Sequence, residues 1–140
     1  MRAGGWICAL PLDVVIETMR ALPVRPIAGA PSFVRGIATV RGAQRPVLEL
    51  SALLGAGSGG RGGRLVSVRS GEGQVSIEVD EVLGVRHLDE GSLERTAPLL
   101  SEAVPACVER LGSLDGQTLA VLGAARLVPE EVWAAIGGGG

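Results

Sequence analysis

Along most of the chain apolar residues come in short runs separated by turn-forming Gly, Pro, Asp or Ser. The runs are Ile7–Leu12 (ICALPL), Val14–Thr18 (VVIET), Gly36–Val40 (GIATV), Pro46–Leu50 (PVLEL), Arg64–Val68 (RLVSV), Val75–Val79 (VSIEV), Val82–Leu88 (VLGVRHL), Leu111–Leu114 (LGSL) and Thr118–Leu122 (TLAVL). Runs of this length, rich in β-branched residues, predict strands, and their close spacing predicts antiparallel sheets or small barrels. The run from Val34 breaks at Arg41-Gly42 and resumes, and Gly42 supplies the positive φ of a tight reversal, so Val34–Leu54 contains a β-hairpin. Helical patterning is sparse. Ser51 is placed to cap a short turn over Ser51–Leu54, and Pro129–Ile136 reads as a terminal helix with Pro129 at its first position and Glu130 and Glu131 at the positive end of its dipole.

The same pattern occurs twice. Without a gap, and at a constant offset, Val34, Ile37, Val40, Gly42, Val47, Leu48 and Leu53 fall on Val108, Leu111, Leu114, Gly116, Val121, Leu122 and Leu127. A weaker echo sets Ala9–Asp13 on Ser76–Asp80. Shared turn glycines and matched run lengths predict a duplicated structural unit. The glycine-rich stretch 55–63 (GAGSGGRGG) reads as a flexible connector within one domain over 1–136, and 137–140 as a flexible tail after it.

Composition removes several functional classes. The chain has 140 residues with 13 basic and 15 acidic side chains, net −2, spread along the sequence, so the totals give no footprint for a phosphate backbone. Its aromatic residues are Trp6, Phe33 and Trp133, too few to stack bases, which argues against nucleic acid and against a nucleic-acid or small-molecule binding barrel. No apolar run approaches the roughly 20 residues that cross a bilayer, since Arg126 interrupts Leu119–Val128, and the N-terminal segment is cut too short by Pro11 and Asp13 for a secretory signal. Membrane insertion is not expected, and the expected location is cytoplasmic. Cys8 and Cys107 fit no metal spacing and read as reduced core thiols.

Candidate chemistry is thin. Gly55–Gly60 formally satisfies GxGxxG, but a strand-like run follows it where a dinucleotide site requires a helix. His87 is the single histidine, which argues against a metal site, and Cys107, His87 and Asp80 have no spacing that supports nucleophilic catalysis. No enzyme activity, metal or cofactor is expected. Glu49 and Glu78 interrupt apolar runs, and alternation points both to solvent. Phe33 reads as core rather than as an interface anchor, because few large side chains are available to fill the interior.

ALPLDVVIE, followed by PIAGAPSFVRGIATVRGAQRPVLEL and then VSIEVDEVLGV, resembles the CheW-like family of bacterial chemotaxis adaptors. The similarity runs from about Trp6 to Val128, and Ala28–Leu50 is its most specific block. The resemblance implies an all-β fold of two intertwined, five-stranded, SH3-like barrels related by pseudo-symmetry, with a short C-terminal helix. It also implies a non-catalytic adaptor coupling chemoreceptor cytoplasmic tips to the regulatory domain of a CheA-type histidine kinase. Arg41 stands where the family has its characteristic arginine, and Glu17 where many members carry an associated glutamate, so the two are expected to pair. The partner-binding surface it implies comprises Glu17, Phe33, Val34, Gly36, Ile37, Val40, Arg41, Gly42 and Val85, with Val34, Ile37, Val40 and Val85 lining a groove between the barrels for a receptor helix. Only Met1-Arg2-Ala3 precedes the Gly4-Gly5 turn, which implies a shortened strand in the first barrel, and the connector is short and glycine-rich. Both features favour a second reading, a receptor-binding scaffold of the same fold that has lost direct kinase binding.

Overall fold

The computed structural model describes residues 1–56, 63–71, 73–88, 93–95, 107–124 and 127–128. Within them lie β1 (Arg2–Ala3), β2 (Trp6–Ala9), a 3-10 turn (Leu12–Val14), β3 (Val15–Arg20), β4 (Val34–Val40), β5 (Ala43–Glu49), α1 (Leu50–Leu53), β6 (Arg64–Ser70), β7 (Gly73–Val79), β8 (Glu94–Arg95), β9 (Val108–Leu114) and β10 (Gln117–Leu122). They form two five-stranded sheets, ordered β3-β6-β7-β5-β4 and β1-β2-β10-β9-β8.

The two hairpins that align in the sequence are equivalent in space. β4–β5 turns through Arg41 (φ 53°) and Gly42 (φ 80°), and β9–β10 through Asp115 (φ 51°) and Gly116 (φ 80°). Two consecutive positive φ values define the turn that matches strand twist, with glycine second in both. The returning strand of each hairpin then pairs in parallel with a strand from elsewhere in the chain: Val47 lies against Ser76 and Val121 against Ala9. The weaker echo between Ala9–Asp13 and Ser76–Asp80 is therefore structural.

The sheets exchange strands, which is why the halves cannot be cut apart in sequence. β2, with β1 on its outer side, pairs with β10 of the second hairpin before the chain enters β3 of the other sheet. After β7 the chain returns, and Arg2 bonds Glu81 and Asp80 through the backbone. Each sheet also closes on itself. Beyond β3 the chain curls back so that Arg25 and Ile37 exchange N–H···O=C bonds of 2.8 and 2.9 Å, and β8 sits in the matching place beside β9, with Glu94 opposite Leu111. The architecture is the two intertwined five-stranded barrels expected, with one correction: the short strand β1 belongs to the barrel of the second hairpin, because its partner is β2.

The main core lies between the barrels. Leu48, Val66, Val68, Val75 and Ile77 from one sheet meet Cys8, Val108, Ala120 and Leu122 from the other, and Leu50, Leu54 and Leu127 close its ends. A smaller cluster of Ala38, Val40, Val47 and Leu65, with Met19, Leu22 and Val24, fills the first barrel. Strands β5 to β7 are thus covered on both faces, and burial is continuous from Val75 to Val79. Ser70 ties the sheets together by donating its Oγ–H to the Ala124 carbonyl at 2.7 Å.

Two expected elements differ. Val82–Leu88 forms no strand, since the chain leaves the ladder after Glu81 and Gly84 turns it at φ 106°. The short helix begins at Leu50 with Glu49 as its N-cap, and Ser51 lies inside it, donating its hydroxyl to Glu49 Oε1 at 3.3 Å. The expected helix over 129–136, most of the connector 55–63 and the tail 137–140 lie outside the described residues.

Candidate functional site

The β4–β5 turn positions the most prominent charged pair. Arg41 projects from the turn, and Glu17 reaches it from β3 through a register shift between Val15 and Glu17. Arg41 Nη2 donates to Glu17 Oε1 at 2.7 Å and Nε to Oε2 at 3.0 Å, a two-pronged contact in which the arginine side chain stays 80% exposed. The hydrogen bond from Arg41 holds the Glu17 carboxyl below its usual range, and the same bond raises the guanidinium above its own. The pair fixes a long cation in one orientation on the surface.

Around this pair the expected site residues divide. Ile37 is half-buried on the outer face of β4 and borders a shallow depression of about 280 Å³ shared with Pro23, Val24, Arg25, Thr39 and Gln44. Val85 is 67% exposed in the segment after β7. Val34 and Val40 do not line a groove: Val34 (8% exposed) belongs to the core between the barrels and Val40 (7%) to the core of the first barrel, because β4 alternates with both on its inner face. Phe33 packs against the main core, as expected from the shortage of large side chains. Gly42 serves the turn.

Gly36 is buried, and its role is in the backbone. It has φ 143° at the shift between Val34 and Gly36, directly under the chain at Arg25-Pro26. A Cβ there would collide with the Arg25 carbonyl and lie 2.9 Å from Pro26 Cα. Only glycine lets the returning chain lie across β4 and close the barrel.

A second charged cluster went unread in the sequence. Glu49 and Glu78 are neighbours in the parallel β5–β7 pairing, only 3% and 9% exposed, and Arg35 from β4 bonds both, at 2.8 Å to Glu49 Oε2 and 2.7 Å to Glu78 Oε1. The expectation of solvated carboxylates fails because alternation assumes one face open to water, whereas these strands are covered on both. Arg35 Nε also donates to Glu78 Oε1 at 3.1 Å. The readable signal is the arginine next to Phe33-Val34, on the strand paired with the one that carries Glu49. Cys8 and Cys107 are buried free thiols, and burial pushes Cys8 up to about 12, so neither is primed as a nucleophile.

Comparison with known proteins agrees with this architecture. Protein FrzA of Myxococcus xanthus is 33% identical over 89 residues, a match that covers 62% of this chain and 56% of FrzA. Just over half the length of that relative is therefore spanned. The crystal structure of the scaffolding protein TtCheW from Thermoanaerobacter tengcongensis superposes with a TM-score of 0.72 at 26% identity, covering 81% of this chain and 79% of that one. A family model, the CheW-like domain, matches residues 1–132, and with strand exchange between paired barrels on the same residues, the chain belongs to the CheW-like domain family.

Proposed function

We propose that the chain is a non-catalytic adaptor of chemotaxis-type signalling, acting in the cytoplasm, that couples the cytoplasmic tip of a chemoreceptor to the regulatory domain of a CheA-type histidine kinase. The observation that carries the reading is the Glu17–Arg41 pair: an arginine 80% exposed, yet held at two points at the tip of the hairpin that lies in the most family-like block of the chain. Family membership and the likeness to a protein named as a scaffold support it. No helix among the described residues is long and apolar enough to cross a membrane.

In this reading a receptor helix rests its apolar side on the outer face of β4, with Ile37 as a contact, while Arg41 meets a polar or acidic group beside it. The kinase domain, itself of paired barrels in this family, packs on a barrel end. Each link can be weak, because an array multiplies contacts through avidity.

The test is a pair of calorimetric titrations of this protein, against a chemoreceptor tip and against a CheA-type regulatory domain from the same organism. Binding to both, with Arg41→Ala weakening the receptor contact about tenfold, is expected. Binding to the receptor alone favours a scaffold without kinase contact, and binding to neither overturns the reading.

A further inference from the structure

The two barrels carry charge unequally, a feature hidden by the near-neutral total. Between β3 and β7 the described carboxylates Glu17, Glu49 and Glu78 are all bonded to Arg41 or Arg35. Arg20, Arg25, Arg45, Arg64 and Arg69 are left with no carboxylate within ion-pair distance among the described residues. Among the described residues the first barrel is basic, and its acids are already engaged.

Two of these arginines stand directly across from each other. Arg20, the last residue of β3, is the Cα partner of Arg64, the first residue of β6, and both are exposed. The row continues to buried Val79, and the row before it runs Thr18, Val66, Ile77, so no carboxylate occupies that face. The acids that follow Val79 are turned elsewhere: Asp80 accepts the Gly4 N–H at 3.0 Å, and Glu81 faces Arg2 at 3.8 Å. Like charges directly opposite across a ladder are destabilising, and a local rule broken without compensation inside the fold points to a partner outside it.

The surroundings indicate which partner. β3 is an end strand whose only ladder partner is β6, and apart from the Val15 N–H, which donates to the Leu12 carbonyl of the preceding turn, no backbone bond joins Val15–Arg20 to any other described segment. Ile16, Thr18 and Arg20 point outward along it. We propose that the free edge of β3 and the facing guanidinium groups of Arg20 and Arg64 form a docking site for an extended acidic segment of a partner protein. The segment adds alongside β3 through main-chain hydrogen bonds and sets carboxylates against the two arginines, where charge-assisted contacts replace their mutual repulsion. An anionic bilayer would call for a broad basic face, whereas this one is a narrow strand edge on a chain of net charge −2. The site shares β3 with Glu17 but draws its charge from Arg20 and Arg64, which take no part in the Glu17–Arg41 pair, so charge reversal at Arg20 tests it separately from the adaptor reading.

The experiment uses the full chain and a fluorescein-labelled peptide of alternating Glu and Ser, followed by anisotropy, with a Lys-Ser peptide and phosphatidylserine-containing vesicles in parallel. Saturable binding of the Glu-Ser peptide is expected, weakened at least tenfold by Arg20→Glu and by Arg64→Gln and suppressed by salt. The same Arg20→Glu change is expected to raise the thermal midpoint, because it places opposite charges across the ladder. Wild-type affinity no higher than that of Arg20→Glu, a midpoint that does not rise, or binding to vesicles in place of the peptide would each overturn the proposal.

Discussion

Glu17 lies on β3 and Arg41 in the turn that follows β4, the two terminal strands of the first sheet's order, yet their side chains meet at 2.7 Å. The pair closes the barrel by side chains where no backbone ladder does, next to the single bridge at Arg25. Arg41 does so from a left-handed backbone position (φ 53°), where asparagine is a far more common occupant. Asparagine's preference for that backbone position offsets the loss of the exposed ion pair, so Arg41→Asn is expected to leave the thermal midpoint nearly unchanged while receptor-tip affinity falls about tenfold. A fall in both, by calorimetry and thermal scan on the same preparations, would assign Arg41 to the fold and not to the surface.

The Glu17 carboxyl, depressed by its bond to Arg41, makes the pair sensitive to acid. A group with a lowered folded-state pKa contributes stability that is present above its unfolded value and disappears as pH falls through the folded one. Comparing the chain with Glu17→Gln by urea unfolding from neutral pH downward, the stability difference is expected to be largest near neutrality and to vanish below the usual carboxylate range. A difference that grows on acidification has the wrong sign for this pair.

The duplication was legible because its carriers are large and regularly placed: Val34, Ile37, Val47 and Leu48 recur as Val108, Leu111, Val121 and Leu122, and Gly42 recurs as Gly116. Glu17 and Arg41 came from family resemblance, and geometry then joined them. What stayed hidden depends on which sheet face is covered. Glu49 and Glu78 have the spacing of solvent-facing residues, but they share the sheet face of Val47 and Leu65, which the closing of the first barrel covers. Val34 and Val40 were misplaced for the complementary reason, since alternation along β4 specifies two faces without saying which one a partner can reach. The exchange of β1 and β2 into the other barrel has no local signature at all, because it is settled by long-range pairing of Ala9 with Val121.

Arg35 holds the first barrel together at a point where removal is costly. Its guanidinium compensates two carboxylates that are 3% and 9% exposed, so Arg35→Met leaves two adjacent buried acids with one of their principal partners gone. A loss of about 3 kcal/mol in urea unfolding is expected, the lower part of the range for a broken buried pair, because the Arg35 side chain is 41% exposed and water can partly replace it. Adding Glu49→Gln and Glu78→Gln to Arg35→Met is expected to recover most of that loss, since neutral amides have no charge to compensate. A triple variant no more stable than the single one would show that Arg35 acts through packing alone.

The two glycines of the β4–β5 hairpin separate conformation from crowding. Gly42 has φ 80° with no atom within 4 Å of an added Cβ, so Gly42→Ala bears only the left-handed penalty, about 1–2 kcal/mol. Gly36, at φ 143°, bears conformational strain and a collision with the Arg25 carbonyl, an atom of a crossing main chain that cannot swing aside as a side chain would. Gly36→Ala is therefore expected to cost about 3 kcal/mol or more and to break the Arg25–Ile37 bridge, seen as loss of protection of the Arg25 and Ile37 amides in hydrogen exchange. Gly42→Ala is expected to keep that protection. Equal costs and equal protection in the two variants would mean that the barrel is not closed at Gly36, and residues 21–30 would then be free to lift from β4 without disturbing the sheet.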